Sequence, residues 1–110
     1  MIVHLASFVW KEGTSREQIE GLTVALYAMA RSVPELRFYV CGENLRLRPG
    51  GADFGVLALV DDQKGLDAYL DSDAHAEVYR EFLSVMIETR QAVQLETDAL
   101  AASGDWLSGH

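Results

Sequence analysis

Residues 2–10, IVHLASFVW, decide how the rest of the chain is read. Alternation puts Ile2, His4, Ala6, Phe8 and Trp10 on one side and Val3, Leu5 and Val9 on the other, and both sides are apolar. An antiparallel strand with one wet face alternates apolar and polar residues, so this strand is expected to be covered twice. The chain's own helices supply one cover. A second copy of the chain is the economical source of the other.

Downstream, KEGTS (11–15) reads as a turn. Thr14 or Ser15 is placed to cap a helix, and Thr14 with Glu17 fits a capping box. From Arg16 to about Arg31, Ile19, Leu22, Leu26 and Ala30, with Val33 beyond, fall at helical spacing, and Pro34 ends the helix. LRFYVCG (36–42) is rich in aromatic and β-branched residues and reads as a second strand. ENLRLRPGGAD (43–53) is a loop turning at Pro-Gly-Gly. FGVLALV (54–60) is a third strand, again nearly all apolar. Asp61 or Asp62 caps a short helix to Leu70, which breaks at Asp71-Ser72-Asp73. A second helical segment runs from Ala74 to Met86, and a fourth strand from Thr89 to about Glu96. The order β-α-β-β-α-β predicts an α+β, ferredoxin-like domain over residues 1–96 with a four-stranded antiparallel sheet. The remainder, 97–110, is small and polar apart from Trp106 and Leu107, and is expected to be a flexible tail.

Composition narrows the function classes. The 110 residues suit one domain, and 49% of them are hydrophobic, enough for a core. Seventeen acidic against nine basic residues give a formal charge of −8, which repels nucleic acid and anionic membrane surfaces. Arg37, Arg46 and Arg48 near the Gly-rich loop read as solvated loop arginines. Cys41 is the single cysteine, so no intrachain disulfide forms, and its strand-like setting suits a buried structural thiol. No stretch has the length of a membrane span, and the N-terminus lacks a signal-peptide pattern, so a cytoplasmic protein is expected.

The residues with chemistry to offer are His4, inside the first strand, and His75, in LDSDAHAEVYREFL (70–83), which opens the last helical segment. Histidine titrates near neutrality and serves as a general base. The bland readings are a hydrogen-bonded core histidine at 4 and a helix-opening residue at 75. Tyr27, Tyr39 and Tyr79 read as core or interface aromatics. Asp61, Asp62, Asp67, Asp71 and Asp73 lack the Gly and Glu of a calcium loop, and the Pro-Gly-Gly loop lacks the Lys-Ser/Thr of a phosphate cradle. No metal or cofactor is therefore expected.

IVHLASFVWKEGTS, VPELRFYVCGENL and AYLDSDAHAEVYREF together resemble the stress-responsive A/B barrel (Dabb) family from about residue 1 to 96. Where this chain has Asp73, family members usually have Pro before the Ala-His pair. The resemblance implies a homodimer whose two sheets pack face to face as a dimeric α+β barrel. In a plant polyketide cyclase branch, distantly similar to this chain, the Ala-His histidine is the base that drives an aldol closure. That histidine is matched here by His75, its helix tyrosine by Tyr69 and its first-strand histidine by His4. Two other pocket positions of that branch fall on Leu26, beside Tyr27, and on Phe54, so half of its pocket is retained. The expectation is a pocket containing His4, Tyr69 and His75, walled by Phe8, Trp10, Phe54, Leu26, Val78 and Phe82. It would serve either to bind a small apolar or aromatic molecule or, alternatively, to run cofactor-free cyclase- or lyase-like chemistry with His75 as base. Cofactor-independent monooxygenases, also found among ferredoxin-like dimers, are a more distant third reading.

Overall fold

β1 (Ile2–Trp10) lies inside a four-stranded antiparallel sheet, between β3 (Phe54–Val60) and β4 (Ile87–Glu96). β2 (Phe38–Glu43) pairs with the far side of β3, which gives the order β2-β3-β1-β4. The computed structural model describes residues 1–98, and its element order is the α+β ferredoxin-like one expected from the sequence. Trp106 and most of the expected tail lie outside the described residues. Thr97 is still tied to the sheet, its N–H donating to Met1 C=O at 2.8 Å.

α1 (Arg16–Ser32) starts one residue later in its capping logic than Thr14–Glu17 would give. Ser15 accepts from Gln18 N–H, and Gln18 Oε1 accepts from Ser15 N–H at 2.8 Å, while Thr14 Oγ1 turns back to Lys11 C=O. Both pairs satisfy the S/T-x-x-E/Q pattern, and the turn at Lys11 has already taken Thr14. Ile19, Leu22, Leu26 and Met29 form the buried stripe of α1, and Val33, ahead of Pro34, closes it.

The second helical region comes in pieces. Asp62 caps α2 (Gln63–Leu70), accepting from Gly65 N–H at 2.9 Å. Ser72 then caps α3 (Asp73–Val78) by accepting from His75 N–H at 3.1 Å. α3 runs without a break into a π-helical turn, Tyr79–Leu83, and a last α-helical turn, α4 (Ser84–Met86). In the wide turn Ser84 N–H reaches back to Tyr79 C=O, and Ser84 Oγ donates to the bypassed Arg80 C=O at 3.0 Å. The steady apolar spacing of 74–86 predicts an uninterrupted α-helix, and the π turn departs from it.

The two faces of the sheet have different fates. His4, Ala6 and Phe8 of β1 share a face with Tyr39 and Cys41 of β2 and with Phe54, Val56 and Ala58 of β3. The helices pack on this face, with Leu22 and Met86 wholly buried. The opposite face carries two apolar rows, each crossing all four strands: Phe38–Leu59–Val3–Leu95 and Val40–Leu57–Leu5–Val93. Phe38, Val40, Val93 and Leu95, at the ends of these rows, are exposed. A hollow of about 840 Å³ lies over this face.

Candidate functional site

The site grows from one register row on the helix side of the sheet, Tyr39–Ala58–His4–Gln94. Ala58 is the short side chain between two large ones, and it is fully buried. Into that gap descends Tyr69 from the last turn of α2, itself 2% exposed. Its ring meets His4 edge-on at 6.2 Å and Tyr39 at 6.2 Å, both centroid to centroid. His75, in the first turn of α3, meets the same ring at 5.3 Å and 85°. The three residues expected from the sequence, His4, Tyr69 and His75, therefore converge on one small cavity of about 40 Å³.

His4 is 4% exposed and has a partner: its Nδ1 lies 2.9 Å from Gln94 Nε2. Burial is the main force lowering its pKa below 6.5, and the positive charge of Arg90 and the neighbouring His75 act in the same direction. Burial likewise lowers the pKa of His75, again with help from Arg90, against an opposing pull from the Asp71 carboxylate. Both imidazoles are thus neutral at pH 7. Burial pushes the Tyr69 hydroxyl up to about 12, so it keeps its proton and remains a donor. The Tyr39 hydroxyl is raised chiefly by burial, with the neighbouring Tyr69 hydroxyl adding to the shift.

The walls differ in part from those expected. Phe8 and Leu26 line the cavity, together with Leu83 and Tyr79 of the π turn. Trp10 and Phe54 instead stack with Phe8 one layer further on, at 5.7 and 6.3 Å from its ring, and the ring of Trp10 lies 5.5 Å from that of Phe54. Val78 and Phe82 pack in the core without reaching the cavity. Tyr79 follows His75 by one α-helical turn and shares its face, and the wider turn beyond it keeps Leu83 on that side. Tyr27 is spent elsewhere, its hydroxyl accepting from Cys41 N–H at 3.1 Å and donating to Cys41 C=O at 3.0 Å.

Tyr39 and Arg90 also line the cavity and have no place in the expected set. Tyr39, read as a plain core aromatic, touches Tyr69 and the cavity. Arg90 of β4, opposite Phe8 in the ladder, brings the pocket's one full charge. Its signal in the sequence is parity, since it falls on the His4 side of the sheet once β4 is registered against β1. Cys41 is half-buried with its thiol pushed up to about 11, mainly by burial, as a structural thiol would be. Of the loop arginines, Arg37 reaches Asp61 through two contacts at 2.7 and 3.1 Å, and Arg46 pairs with Asp53. Among the described residues no cluster of His, Cys, Asp and Glu is grouped to hold a metal ion, and no helix is long and apolar enough to cross a membrane.

A family model described as the stress responsive A/B barrel domain matches residues 2–97. The chain belongs to the Dabb family. An uncharacterised protein of Streptomyces coelicolor is 34% identical over 92 residues, covering 79% of this chain and 95% of that one. A crystal structure of a dimeric ferredoxin-like protein of unknown function from Thermobifida fusca superposes with a TM-score of 0.81 at 33% identity, covering 87% and 90% of the two chains. The hydroxynitrile lyase of Passiflora edulis superposes with a TM-score of 0.73 at 16% identity, covering 86% and 90% of the two chains; at that identity the likeness is one of fold.

Proposed function

We propose that this Dabb protein acts as a homodimer in which each subunit binds a small apolar or aromatic molecule at the His4–Tyr69–His75 cavity. The observation that carries the binding reading is the convergence of three polar rings, from β1, α2 and α3, on one otherwise apolar hollow. Ligand sites have this composition, a few aimed polar groups in an apolar wall. At about 40 Å³ the hollow is far below the roughly 300 Å³ of a drug-sized site, so the molecule enters by one end only. The two apolar rows on the open sheet face support the dimer, because exposed contiguous patches of that kind mark interfaces. The dimeric relative of Thermobifida fusca supports it as well.

A second reading has a specific observation in its favour. His75 is held neutral beside a Tyr69 that keeps its proton, which is the pairing needed to take a proton alpha to a carbonyl and steady the enolate oxygen. In that reading His75 is the base, Tyr69 the donor and His4 a positioning contact, in cofactor-free cyclase- or lyase-like chemistry. The cavity is too small for a polyketide chain of four units, so a smaller carbonyl substrate is the one to try. A panel of small carbonyl and aromatic compounds, followed through the imidazole resonances of His4 and His75, tests binding. Compounds that bind are then assayed for turnover in the protein and in His75→Ala. Binding without turnover supports the first reading, and turnover lost in His75→Ala supports the second. No compound moving either resonance sinks both.

A further inference from the structure

Arg90 stands out from the other charged groups near the site. It is the one charged residue among those lining the cavity, where its neighbours are His4, His75, Tyr39 and Tyr69 and apolar side chains. Four other arginines have carboxylate partners: Arg16 with Glu43, Arg37 with Asp61, Arg46 with Asp53 and Arg80 with Glu77. Arg31, Arg48 and Arg90 have none among the described residues, and of these three Arg90 is the one that lines the cavity. Arg90, Ala92 and Gln94, which share a face of β4, are all exposed, so the helices leave this edge of the pocket open to solvent.

We infer that Arg90 makes the pocket selective for a small carboxylate, whose anionic end rests on the guanidinium while its apolar end enters the cavity. This rests on the ligand-binding reading of the same pocket. A guanidinium presents parallel N–H donors that match the two oxygens of a carboxylate. The rest of the protein does not favour an anion, because the chain carries a formal charge of −8. A preference for an anion must therefore come from a local group, and Arg90 is the local cation. The neutral imidazoles add no positive charge at pH 7 and supply uncharged hydrogen-bonding groups. Cavity size limits the apolar end. A water needs roughly 10–15 Å³ of such space, so about 40 Å³ admits about three heavy atoms, the size of an isopropyl group.

The test compares isobutyrate with its neutral isostere isobutyramide, titrated into the 110-residue protein at pH 7 and followed through the His4 and His75 ring resonances. The native protein is expected to bind the carboxylate about tenfold more tightly than the amide, the scale of one charge-assisted contact. Arg90→Gln is expected to bring the ratio of carboxylate to amide affinity down to about one, and Arg90→Lys to keep part of the preference. A general loss of structure would weaken both ligands alike, so the ratio isolates the charge. Equal binding of the two ligands to the native protein, or a carboxylate preference that survives Arg90→Gln, would overturn the Arg90 assignment and leave the pocket standing. If neither ligand moves the His75 resonance, the pocket reading fails and this inference fails with it.

Discussion

His4 Nδ1 and Gln94 Nε2 face each other at 2.9 Å across the β1–β4 ladder, and that pairing sets which nitrogen of His4 carries the proton. An amide NH₂ only donates, so Nδ1 accepts and the neutral ring holds its hydrogen on Nε2. Protonating Nδ1 would break the contact, and this agrees with a pKa lowered chiefly by burial. His4 is thereby suited to donate or to position a ligand, and His75 is left as the better base.

Exchanging the amide for a carboxylate should reverse this. In Gln94→Glu the new acceptor favours Nδ1–H and the charged ring, so the His4 pKa should rise above its native value. An NMR titration of the imidazole resonances reads it directly. A His4 pKa that stays put would mean that Gln94 does not set its state.

Stability should depend on pH through the two buried imidazoles. Both have folded pKa values lowered below 6.5, so the unfolded chain binds more protons and stability rises with pH. Their contribution is complete above the unfolded value of 6.5 and is lost as the pH falls through it towards the folded values. Urea unfolding between about pH 7.5 and about pH 5.5 should show a downward slope, made shallower in the His4→Gln, His75→Gln double variant. The same slope in both proteins would assign the effect to the carboxylates.

Ala58 should tolerate little growth. Its methyl lies in the gap between His4 and Tyr39 that Tyr69 occupies, so Ala58→Leu should displace the tyrosine and cost about 1–3 kcal/mol. Equilibrium unfolding gives the cost. The lost ring-current shift at His75 would report the displaced Tyr69.

Leu57 should matter to assembly and not to the fold. It stands in the middle of the open row Val40–Leu57–Leu5–Val93, away from the helices. Leu57→Glu should give a folded monomer by sedimentation, with native circular dichroism, where the native chain is a dimer. A native chain already monomeric at micromolar concentration would end the dimer proposal.

Much of this was legible in the residues. IVHLASFVW announced a doubly apolar strand because its period of two is strong and uninterrupted, and FGVLALV did the same for β3. His75 and Tyr69 are grouped by the resemblance to the Dabb family, and no spacing or pattern in the residues themselves pairs them. Arg90 was harder to read. β4 is an edge strand exposed along nearly its whole length, so its burial has no alternation to mark an inward side. Its register against β1 is a tertiary fact. Tyr39 escaped for a related reason: an aromatic in a strand has the same pattern whether it fills a core or borders a cavity. The capping box was ambiguous by one residue because KEGTSREQ contains two overlapping matches.

The π turn at Tyr79–Leu83 has a consequence for how the pocket can vary. A turn closed over five residues holds one more than an α-helical turn, and removing that residue would rotate everything before it by about 100° relative to α4. His75 lies before this joint, Leu83 is its last residue, and β4 with Arg90 lies beyond it. The joint is thus a phase adjuster: a single insertion or deletion there re-aims the His75 ring against the far wall while every residue of the sheet stays in place. Relatives that share the sheet and both histidines can therefore differ in the shape of what they hold through the length of this one turn.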